Sequence, residues 1–269
     1  MEKGGRRVVT AVSIAASDSG GGAGIQADLL TFAAHGVHGA TVLTAGTAQD
    51  SRGIRAISAF PPRFVRAQMD AVFDDLRPRA VKIGALVDAG IVRAVAAGLA
   101  RHRAAHVVLD PVTVAKGGAR LLSREASRIL CRDLLPLCEL VTPNLPEAES
   151  LSGIRIRTDA DRRLAAGILA DMGAGAVLIK GGHARGKTVR DLFFDGRFFA
   201  EFVAPRLPGP PVHGTGCTLS SAIAANLALG RNLESAVERA IRYLRDARRR
   251  PLRPGRGRPM PDRSVRATG

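Results

Sequence analysis

Short apolar runs alternate with amphipathic stretches along most of this chain. The apolar runs predict buried strands over residues 8–16, 40–45, 80–83, 107–109, 140–141 and 176–180. The stretches between them carry apolar residues at helical spacing and predict helices over residues 23–35, 62–74, 89–103, 124–134 and 159–172. Apolar strands that alternate with helices are typical of a parallel sheet with helices on both faces. The pattern therefore predicts an α/β sandwich of three layers.

The pattern changes near residue 188. Two β-rich runs flank Asp195 and Gly196, a pair that is typical of a hairpin turn. We therefore expect a β-hairpin near residues 188–203 beside the mostly parallel sheet. A run of small and apolar residues over 219–229 then predicts a buried helix, and a second helix completes the fold. No break in composition interrupts residues 1–246, so they are predicted to form one domain.

Composition and charge restrict the possible functions. Hydrophobic residues make up 46% of the 269 residues, which is enough for a substantial core, and no apolar run is long enough to span a bilayer. The net charge is +16, and residues 247–269 contain eight arginines but a single acid, Asp262. Because this Pro-, Gly- and Arg-rich tail lacks apolar periodicity, it is predicted to be disordered. Charge in the rest of the chain is dispersed, which argues against nucleic acid as the main partner.

The cysteines indicate the redox environment. The chain contains three of them, Cys131, Cys138 and Cys217, and they form no C-x-x-C pair. Neither a disulfide framework nor a zinc site is therefore indicated. A cytoplasmic location fits this cysteine usage best, since the cytoplasm is reducing.

Polar residues follow several of the predicted strands at the point where each strand ends. In open α/β sheets, ligands bind beyond the carboxyl ends of the strands. The residues at these strand ends are Asp18, Gln49, Lys82, Asp110, Asn144, Lys180 and Gly182. Their recurrence at several independent strand ends predicts a ligand site along this edge of the sheet.

The segment His213-Gly-Thr-Gly-Cys-Thr218 lies directly before the buried helix predicted over 219–229. Glycines in front of a helix leave backbone N–H groups unpaired, and the positive end of the helix dipole adds to their attraction for an anion. Cys217 lies in the same first turn, where the pKa of a thiol is usually depressed. This combination suits the transfer of a charged group to a bound nucleophile. Taken alone, so short a motif more often marks a capped helix with a buried structural cysteine.

Residues 181–188 match the P-loop pattern Gly-x-x-x-x-Gly-Lys-Thr letter for letter. A P-loop must lead into a helix, because the helix N-terminus holds the phosphates. Here Thr188 leads into the first strand of the predicted hairpin. The required context therefore fails, and we interpret Lys187 as a surface loop residue.

Five segments occur together in the order that is typical of one enzyme family. They are residues 16–29 (ASDSGGGAGIQADL), 108–112 (VLDPV) with 115–117 (AKG), 141–148 (VTPNLPEA), 178–183 (LIKGGH) and 213–220 (HGTGCTLS). On these segments the chain resembles the hydroxymethylpyrimidine/phosphomethylpyrimidine kinases of thiamine biosynthesis, over roughly residues 8–240. The resemblance implies a ribokinase-like fold and phosphorylation of 4-amino-5-hydroxymethyl-2-methylpyrimidine with ATP and Mg²⁺. It also implies a second transfer that converts the monophosphate to the diphosphate.

The resemblance implies a role for each residue of the phosphoryl-transfer site. Residues 214–217 (Gly-Thr-Gly-Cys), that is Gly214, Thr215, Gly216 and Cys217, would donate backbone N–H groups to the moving phosphoryl group, while Lys180 neutralises its charge. Cys217 would accept or orient the proton of the substrate hydroxyl group. The residues implied at the ATP phosphates are Asp110, Asn144, Lys180 and Gly182, and those implied at Mg²⁺ are Glu147 and Asp110.

A second group of residues is implied in recognition of the pyrimidine. Asp28 and Gln49 would match the donor and acceptor edges of an aminopyrimidine. Gly22, within the glycine-rich residues 20–24, would let the backbone approach the ring. Val112 completes the implied substrate site.

Three positions near the expected pyrimidine site depart from the usual family pattern. They are Gly46, Ala85 and Thr113, where the family often carries Leu or Met. We hypothesise that the lost side-chain volume makes the pocket roomier and the specificity looser. The Arg-rich tail also replaces the Gly-rich, His-containing ending of many members, which puts any substrate-covering role of this segment in doubt.

Two other functions stay open. A pyridoxal or pyridoxine kinase shares the fold and can share the cysteine, although Thr215 and Gln49 favour the pyrimidine. A non-catalytic pyrimidine sensor of the same fold is the second alternative, and intact Lys180, Glu147 and Cys217 argue against it. Members of the superfamily are often dimers, which makes a homodimer the assembly to test.

Overall fold

A single sheet runs through the part of the chain that the computed structural model describes, which comprises residues 8–113, 121–183 and 186–267. Its strands are β1 (Thr10–Asp18), β2 (His38–Gln49), β3 (Ile54–Ala59), β4 (Ala80–Ile83), β5 (Val107–Leu109), β6 (Leu140–Val141), β7 (Val177–Ile179), β8 (Thr188–Phe194) and β9 (Phe199–Pro205). They lie in the order β3-β2-β1-β4-β5-β6-β7-β8-β9. The pairs from β2 through to β7 are parallel, whereas β3, β8 and β9 pair antiparallel. The mostly parallel sheet and the predicted hairpin are therefore confirmed.

Helices cover both faces of this sheet. They are α1 (Gly24–Ala34), α2 (Pro62–Leu76), α3 (Ala89–His102), α4 (Arg124–Ile129), α5 (Leu145–Ser152), α6 (Asp159–Asp171), α7 (Thr215–Ala228) and α8 (Leu233–Arg249). Successive strand residues point to opposite faces, so Val12 and Ile14 of β1 join the core beneath α2 to α6, while Ala11 joins the core beneath α1, α7 and α8. Two cores separated by one sheet confirm the three-layer sandwich. None of the helices in the described ranges is long and apolar enough to cross a membrane.

Some elements differ from the hydrophobic pattern. The pattern does not predict β3, a short antiparallel strand with almost all of its residues exposed. Helix α5 is also unpredicted; a reciprocal cap between Asn144 and Glu147 starts it. The helix predicted over 124–134 is α-helical only to Ile129 and continues as a π-helical turn, Leu130–Leu134.

As far as residue 267, the carboxyl-terminal tail is ordered by contacts with the domain, which differs from the disorder predicted for residues 247–269. Helix α8 extends to Arg249, so the predicted boundary at residue 246 falls inside it. Leu252 and Met260 then pair with each other in an antiparallel bridge, and Arg263 is only 4% exposed. Composition signals charge and missing periodicity, but it cannot show that backbone groups and an arginine of the tail find partners in distant loops.

Candidate active site

The start of α7 presents backbone N–H groups beside the ends of β5 and β7. Gly214 precedes the helix with a φ of 78°, and no side chain in the described ranges caps the helix. The first N–H groups of such a helix have no intrahelical partners. A Cβ on Gly216 would lie 3.1 Å from Asp110 Oδ2 and 3.3 Å from Lys180 Nζ. The structure therefore brings the glycine loop against two of the residues predicted to contact phosphates.

Lys180, Asp110 and Glu147 form the charged centre of this site. Lys180 Nζ lies 2.6 Å from Asp110 Oδ1 and 4.0 Å from Glu147 Oε2. These residues follow β7, β5 and β6, which are neighbours in the sheet, so their ends meet. Burial acts to lower the pKa of Lys180, but the two carboxylates outweigh it and raise that pKa. Lys180 is therefore a stable cation at the start of α7.

Asn144 orients Glu147 rather than facing the cluster with a free carboxamide. Asn144 Oδ1 accepts from Glu147 N at 3.0 Å, and Glu147 Oε2 accepts from Asn144 N at 2.8 Å. Burial raises the pKa of Glu147 to about 7, against the opposing effect of Lys180. A second cation at this site would lower the pKa of Glu147 again, because opposite charge favours the ionised form of a carboxylate.

Gln49, His213 and Gly22 come together on the other side of the start of α7. Gln49 Nε2 and His213 Nε2 are 2.9 Å apart. A Cβ on Gly22 would lie 2.6 Å from His213 Cδ2, so only glycine allows this approach. Asp18 accepts from the backbone N–H groups of Gly20, Gly22 and Ala23, and it shapes the glycine-rich loop. Two of the predicted substrate residues, Gln49 and Gly22, are thus brought together.

Direct recognition of a substrate by Asp28 is not supported by the structure. Asp28 is fully buried. Its Oδ2 lies 2.7 Å from Lys82 Nζ and accepts from Ser13 Oγ at 2.6 Å, and its Oδ1 accepts from Ser221 Oγ at 2.7 Å. Both carboxylate oxygens are occupied within the protein. Asp28 is therefore the internal partner of Lys82, because its position on α1 points the carboxylate into the core.

Cys217 lies between this buried pair and the glycine loop, and its side chain is partly exposed. Burial raises the pKa of the Cys217 thiol, and the positive charge of Lys82 only partly offsets that effect. The expectation of a depressed pKa is therefore wrong. Desolvation of the thiolate, together with the carboxylates of Asp28 and Asp110, outweighs the nearby ammonium group of Lys82.

The raised pKa of Cys217 predicts how its alkylation depends on pH. A thiol whose pKa is raised forms thiolate only as the pH rises, so its reaction with iodoacetamide should be slow at about pH 7 and increase steadily toward about pH 9. Mass spectrometry of the peptide that contains Cys217 would measure the rate, with the Cys217→Ser variant as the background control. A rate that has already reached its plateau at neutral pH would contradict this prediction.

The other predicted site residues have different surroundings. Val112 is half-buried, and its N–H donates to the Asp110 carbonyl at 2.8 Å, directly beyond β5. Gly182 is exposed in a short 3₁₀ turn, and its carbonyl accepts from Arg206 at 3.0 Å. Residues 115–117 of the family pattern and residues 184–185 of the P-loop pattern lie outside the described residues. Because Thr188 begins a strand, the rejection of a P-loop is confirmed.

The three departures from the family pattern differ in their surroundings. Ala85 is half-buried, and its carbonyl accepts from Thr44 Oγ1 at 2.7 Å. A Cβ on Gly46 would meet nothing within 4 Å, in keeping with open space there. Thr113 is instead buried, and its carbonyl accepts from the backbone of Leu121 and Leu122. Met260 of the tail approaches within 3.4 Å of a Cβ on Gly22. The roomier pocket stays a prediction for the Gly46 side only.

Four residues of this region had no individual role assigned from the sequence: Asp18 and Lys82, noted only as strand-end residues, His213, noted only as the first residue of the glycine segment, and Arg263. An internal partner for Lys82 could have been predicted from the sequence, since a lysine within the buried strand Ala80–Ile83 requires one. The signal at Asp18 was weaker, because an Asx turn is common before glycines. Nothing in the sequence distinguishes Arg263 from the other arginines, because it is one of eight in the tail.

Comparison with known proteins gives this arrangement a family. The family model for phosphomethylpyrimidine kinase matches residues 18–261. A hydroxymethylpyrimidine/phosphomethylpyrimidine kinase of Rhizobium meliloti is 50% identical over 238 residues, which cover 88% of this chain and 89% of that protein. A bifunctional thiamine biosynthesis protein of Geobacter sulfurreducens is 50% identical over 246 residues. These cover 91% of this chain but 50% of that protein, so the chain spans half of its length.

Solved structures agree on the fold. The ADP complex of Bacillus subtilis pyridoxal kinase superimposes with a TM-score of 0.90 at 33% identity, covering 96% of this chain and 98% of that one. The ribokinase-like fold is thereby confirmed. The family match over most of the chain, together with the charged cluster at the start of α7, establishes that this chain belongs to the phosphomethylpyrimidine kinase family.

Proposed function

We propose that this kinase transfers a phosphoryl group from ATP to the hydroxymethyl group of 4-amino-5-hydroxymethyl-2-methylpyrimidine and then to the resulting monophosphate. The observation that carries the proposal is the convergence of Lys180, Asp110 and Glu147 within 4.0 Å beside an uncapped helix N-terminus. Phosphoryl transfer requires positioning and charge neutralisation more than covalent chemistry. A cation, two carboxylates and free N–H groups supply these requirements.

Each group has a definable part in the transfer. The N–H groups of Thr215, Gly216 and Cys217 donate to the phosphoryl oxygens, and the ammonium group of Lys180 balances their charge. Cys217 accepts the hydroxyl proton as the alcohol oxygen attacks phosphorus, and ADP leaves with the electron pair of the broken P–O bond. Since burial raises the pKa of the thiol, Cys217 must first lose its own proton to solvent, and the thiolate then accepts the proton of a hydroxyl group held against the sulfur.

The donor set beside Lys180 fits Mg²⁺. Mg²⁺ is commonly held by one or two carboxylates together with substrate phosphates, and it prefers oxygen ligands. Asp110 and Glu147 supply two carboxylates, and burial together with the charge of Asp110 raises the pKa of Glu147 to about 7 despite the ammonium group of Lys180. We infer that these two residues hold the metal, which when bound would neutralise charge on the ATP phosphates.

Gln49 and His213 are the groups that we assign to the aminopyrimidine. The carboxamide and the imidazole are in contact at 2.9 Å, and together they offer both a donor and an acceptor. Gly22 leaves the space in which a flat ring can lie against the backbone. We also assign Val112, which lies directly beyond β5, to the substrate site.

Pyridoxal is the second candidate substrate. It is favoured by the 0.90 TM-score to Bacillus subtilis pyridoxal kinase and by the open space at Gly46. Pyridoxal also presents a hydroxymethyl group on a flat heteroaromatic ring, so the same phosphoryl-transfer residues would serve it.

A coupled assay of ADP release tests this assignment. Wild-type protein with ATP and Mg²⁺ is given hydroxymethylpyrimidine, its monophosphate or pyridoxal in turn. We expect kcat/KM to be highest for the two pyrimidines. A preference for pyridoxal would instead support the second candidate, and no turnover with any of them would contradict both.

Replacing Gly214 with alanine is expected to lower kcat by about 10²-fold, because a small displacement of catalytic groups carries a cost of this order. Gly214 has a left-handed φ of 78°, and an added Cβ would overlap the carbonyl oxygen of Gly22. Gly230→Ala is the matched control, since Gly230 also has a positive φ, 82°, but has open space around it. Steady-state kinetics of both variants would measure the effect. Equal losses in the two would show that backbone strain alone, rather than loop position, is responsible.

We also propose a cytoplasmic location and a homodimer. Free cysteines at positions 131, 138 and 217 suit a reducing compartment. Size-exclusion chromatography with light scattering would test the assembly.

A further inference from the structure

The last residues of the chain pass over the junction between two loops of the active site. We call residues 251–263 the carboxyl-terminal strap. The Leu252–Met260 bridge closes the strap on itself, and two hydrogen bonds tie it to the domain: Arg258 N donates to the Ser51 carbonyl at 2.8 Å, and Asp262 N donates to the Ala247 carbonyl at 2.8 Å. Beside the bridge, the Pro259 carbonyl accepts from His213 N at 2.7 Å. The strap is therefore bonded directly to the segment that leads into the phosphoryl-binding loop.

Arg263 of the strap connects this loop to the glycine-rich substrate loop. Its Nη2 donates to the Gly22 carbonyl at 2.7 Å and to the Gly214 carbonyl at 3.5 Å. Its Nε donates to Thr218 Oγ1 at 2.9 Å, and Thr218 Oγ1 in turn donates to the Gly214 carbonyl at 2.8 Å. A single planar guanidinium group thus spans residues from both loops.

The chemistry of these contacts is specific to arginine. The acceptors are two carbonyl oxygens and one hydroxyl oxygen, all neutral, and they surround a side chain that is only 4% exposed. A rigid fork of N–H donors can reach all three at once, whereas an ammonium group is a point donor. Burying a cation among neutral groups is costly. Burial lowers the pKa of Arg263, and the nearby carboxylates of Asp28 and Asp18 only partly offset that effect.

We propose that Arg263 is a positioning residue for phosphoryl transfer, which joins the Gly22 carbonyl to Thr218 and Gly214 and so sets the separation between the bound alcohol and the phosphoryl group. This inference rests on the proposed function. The Gly22 side holds the alcohol and the start of α7 holds the phosphoryl group, so a change in their separation acts on the chemical step. These hydrogen bonds of Arg263 reach neither Lys180 nor Gly182, so binding of ATP at those two residues should be little affected.

Kinetics of the full-length Arg263→Ala variant test the proposal. We expect kcat to fall by about 10²-fold with a KM for ATP within about twofold of wild type, because misplacement of reacting groups affects the chemical step. Arg263→Lys should recover only part of the loss, since it restores charge but not the fork. Added guanidinium ion, at millimolar concentrations too low to unfold the protein, should increase kcat of Arg263→Ala and leave wild type unchanged. Arg256→Ala, at an exposed arginine of the same strap, is the matched control and should match wild type.

A second measurement separates this proposal from the identity of the substrate. Hydrogen exchange of the substrate-free protein should be faster in Arg263→Ala than in Arg256→Ala at residues 20–24 and 213–218, and the α2 to α6 side of the sheet should be unaffected. If wild type acts only on pyridoxal, the kinetic comparison is made with pyridoxal and the prediction is the same. Unchanged exchange at both loops, or a kcat loss explained fully by the unfolded fraction, would overturn the proposal. Absence of turnover in wild type would count against the proposed function, while the exchange result would still decide whether Arg263 joins the loops.

Discussion

Cys217→Ala is expected to lower kcat by about 10²–10⁴-fold with any of the accepted substrates, the range typical for loss of a general base. The side chain lies in the first turn of α7, beside the N–H groups that would hold the phosphoryl group. Its removal leaves the attacking hydroxyl group without a proton acceptor but leaves Lys180 and the glycine loop intact. We therefore expect the KM for ATP to change little. Coupled ADP release under steady-state conditions would measure both constants.

Cys131→Ala is the matched control for that variant. Cys131 is also a partly exposed free cysteine, but it lies in the π-helical turn Leu130–Leu134, on the α2 to α6 side of the sheet. Its replacement should leave kcat unchanged. A Cys217→Ala enzyme that retains more than about a tenth of wild-type kcat would exclude a general base at this position. The N–H groups and Lys180 would then carry the transfer by charge stabilisation alone.

Lys82→Met is expected to destabilise the protein by about 3–5 kcal/mol, the range typical for removal of one member of a buried ion pair. Lys82 and Asp28 are both fully buried, with 2.7 Å between Nζ and Oδ2. The variant leaves a carboxylate in the core whose only remaining hydrogen-bond donors among the described residues are Ser13 and Ser221. Urea unfolding followed by circular dichroism would measure the change in the free energy of unfolding.

A double-mutant cycle with Asp28→Asn identifies the origin of that loss. Because the carboxamide that replaces the Asp28 carboxylate carries no charge, Lys82→Met should cost much less in its presence, and the two single effects should be strongly non-additive. The exposed pair of Arg242 and Glu238 is the control, with side chains 53% and 58% exposed. Arg242→Met should change stability little, since exposed ion pairs contribute little. Additive effects of Lys82→Met and Asp28→Asn would contradict the buried-pair interpretation.

Much of the layout of this protein follows from local pattern. The apolar strands and the parallel sheet were predictable, because strands buried on both faces are apolar along their whole length. The positions of Asp110, Lys180 and the glycine loop at one edge were predictable too, since the carboxyl ends of parallel strands meet there. Position along the strand is a property of the sequence, and in such a fold it determines position in space.

The partners of charged side chains were decided by the tertiary structure. The sequence alone determined that Asp28 lies on a helix and that Lys82 interrupts an apolar strand, but only the packing of α1 and α7 against β1 and β4 made them a pair. In the same way the sequence marked residues 247–269 as a charged tail, whereas the fold gave Arg263 its three oxygen acceptors. The physical reason is that periodicity records which face of an element is buried, while the choice of a polar partner depends on atoms from segments far apart in the chain, such as Gly22 and Arg263.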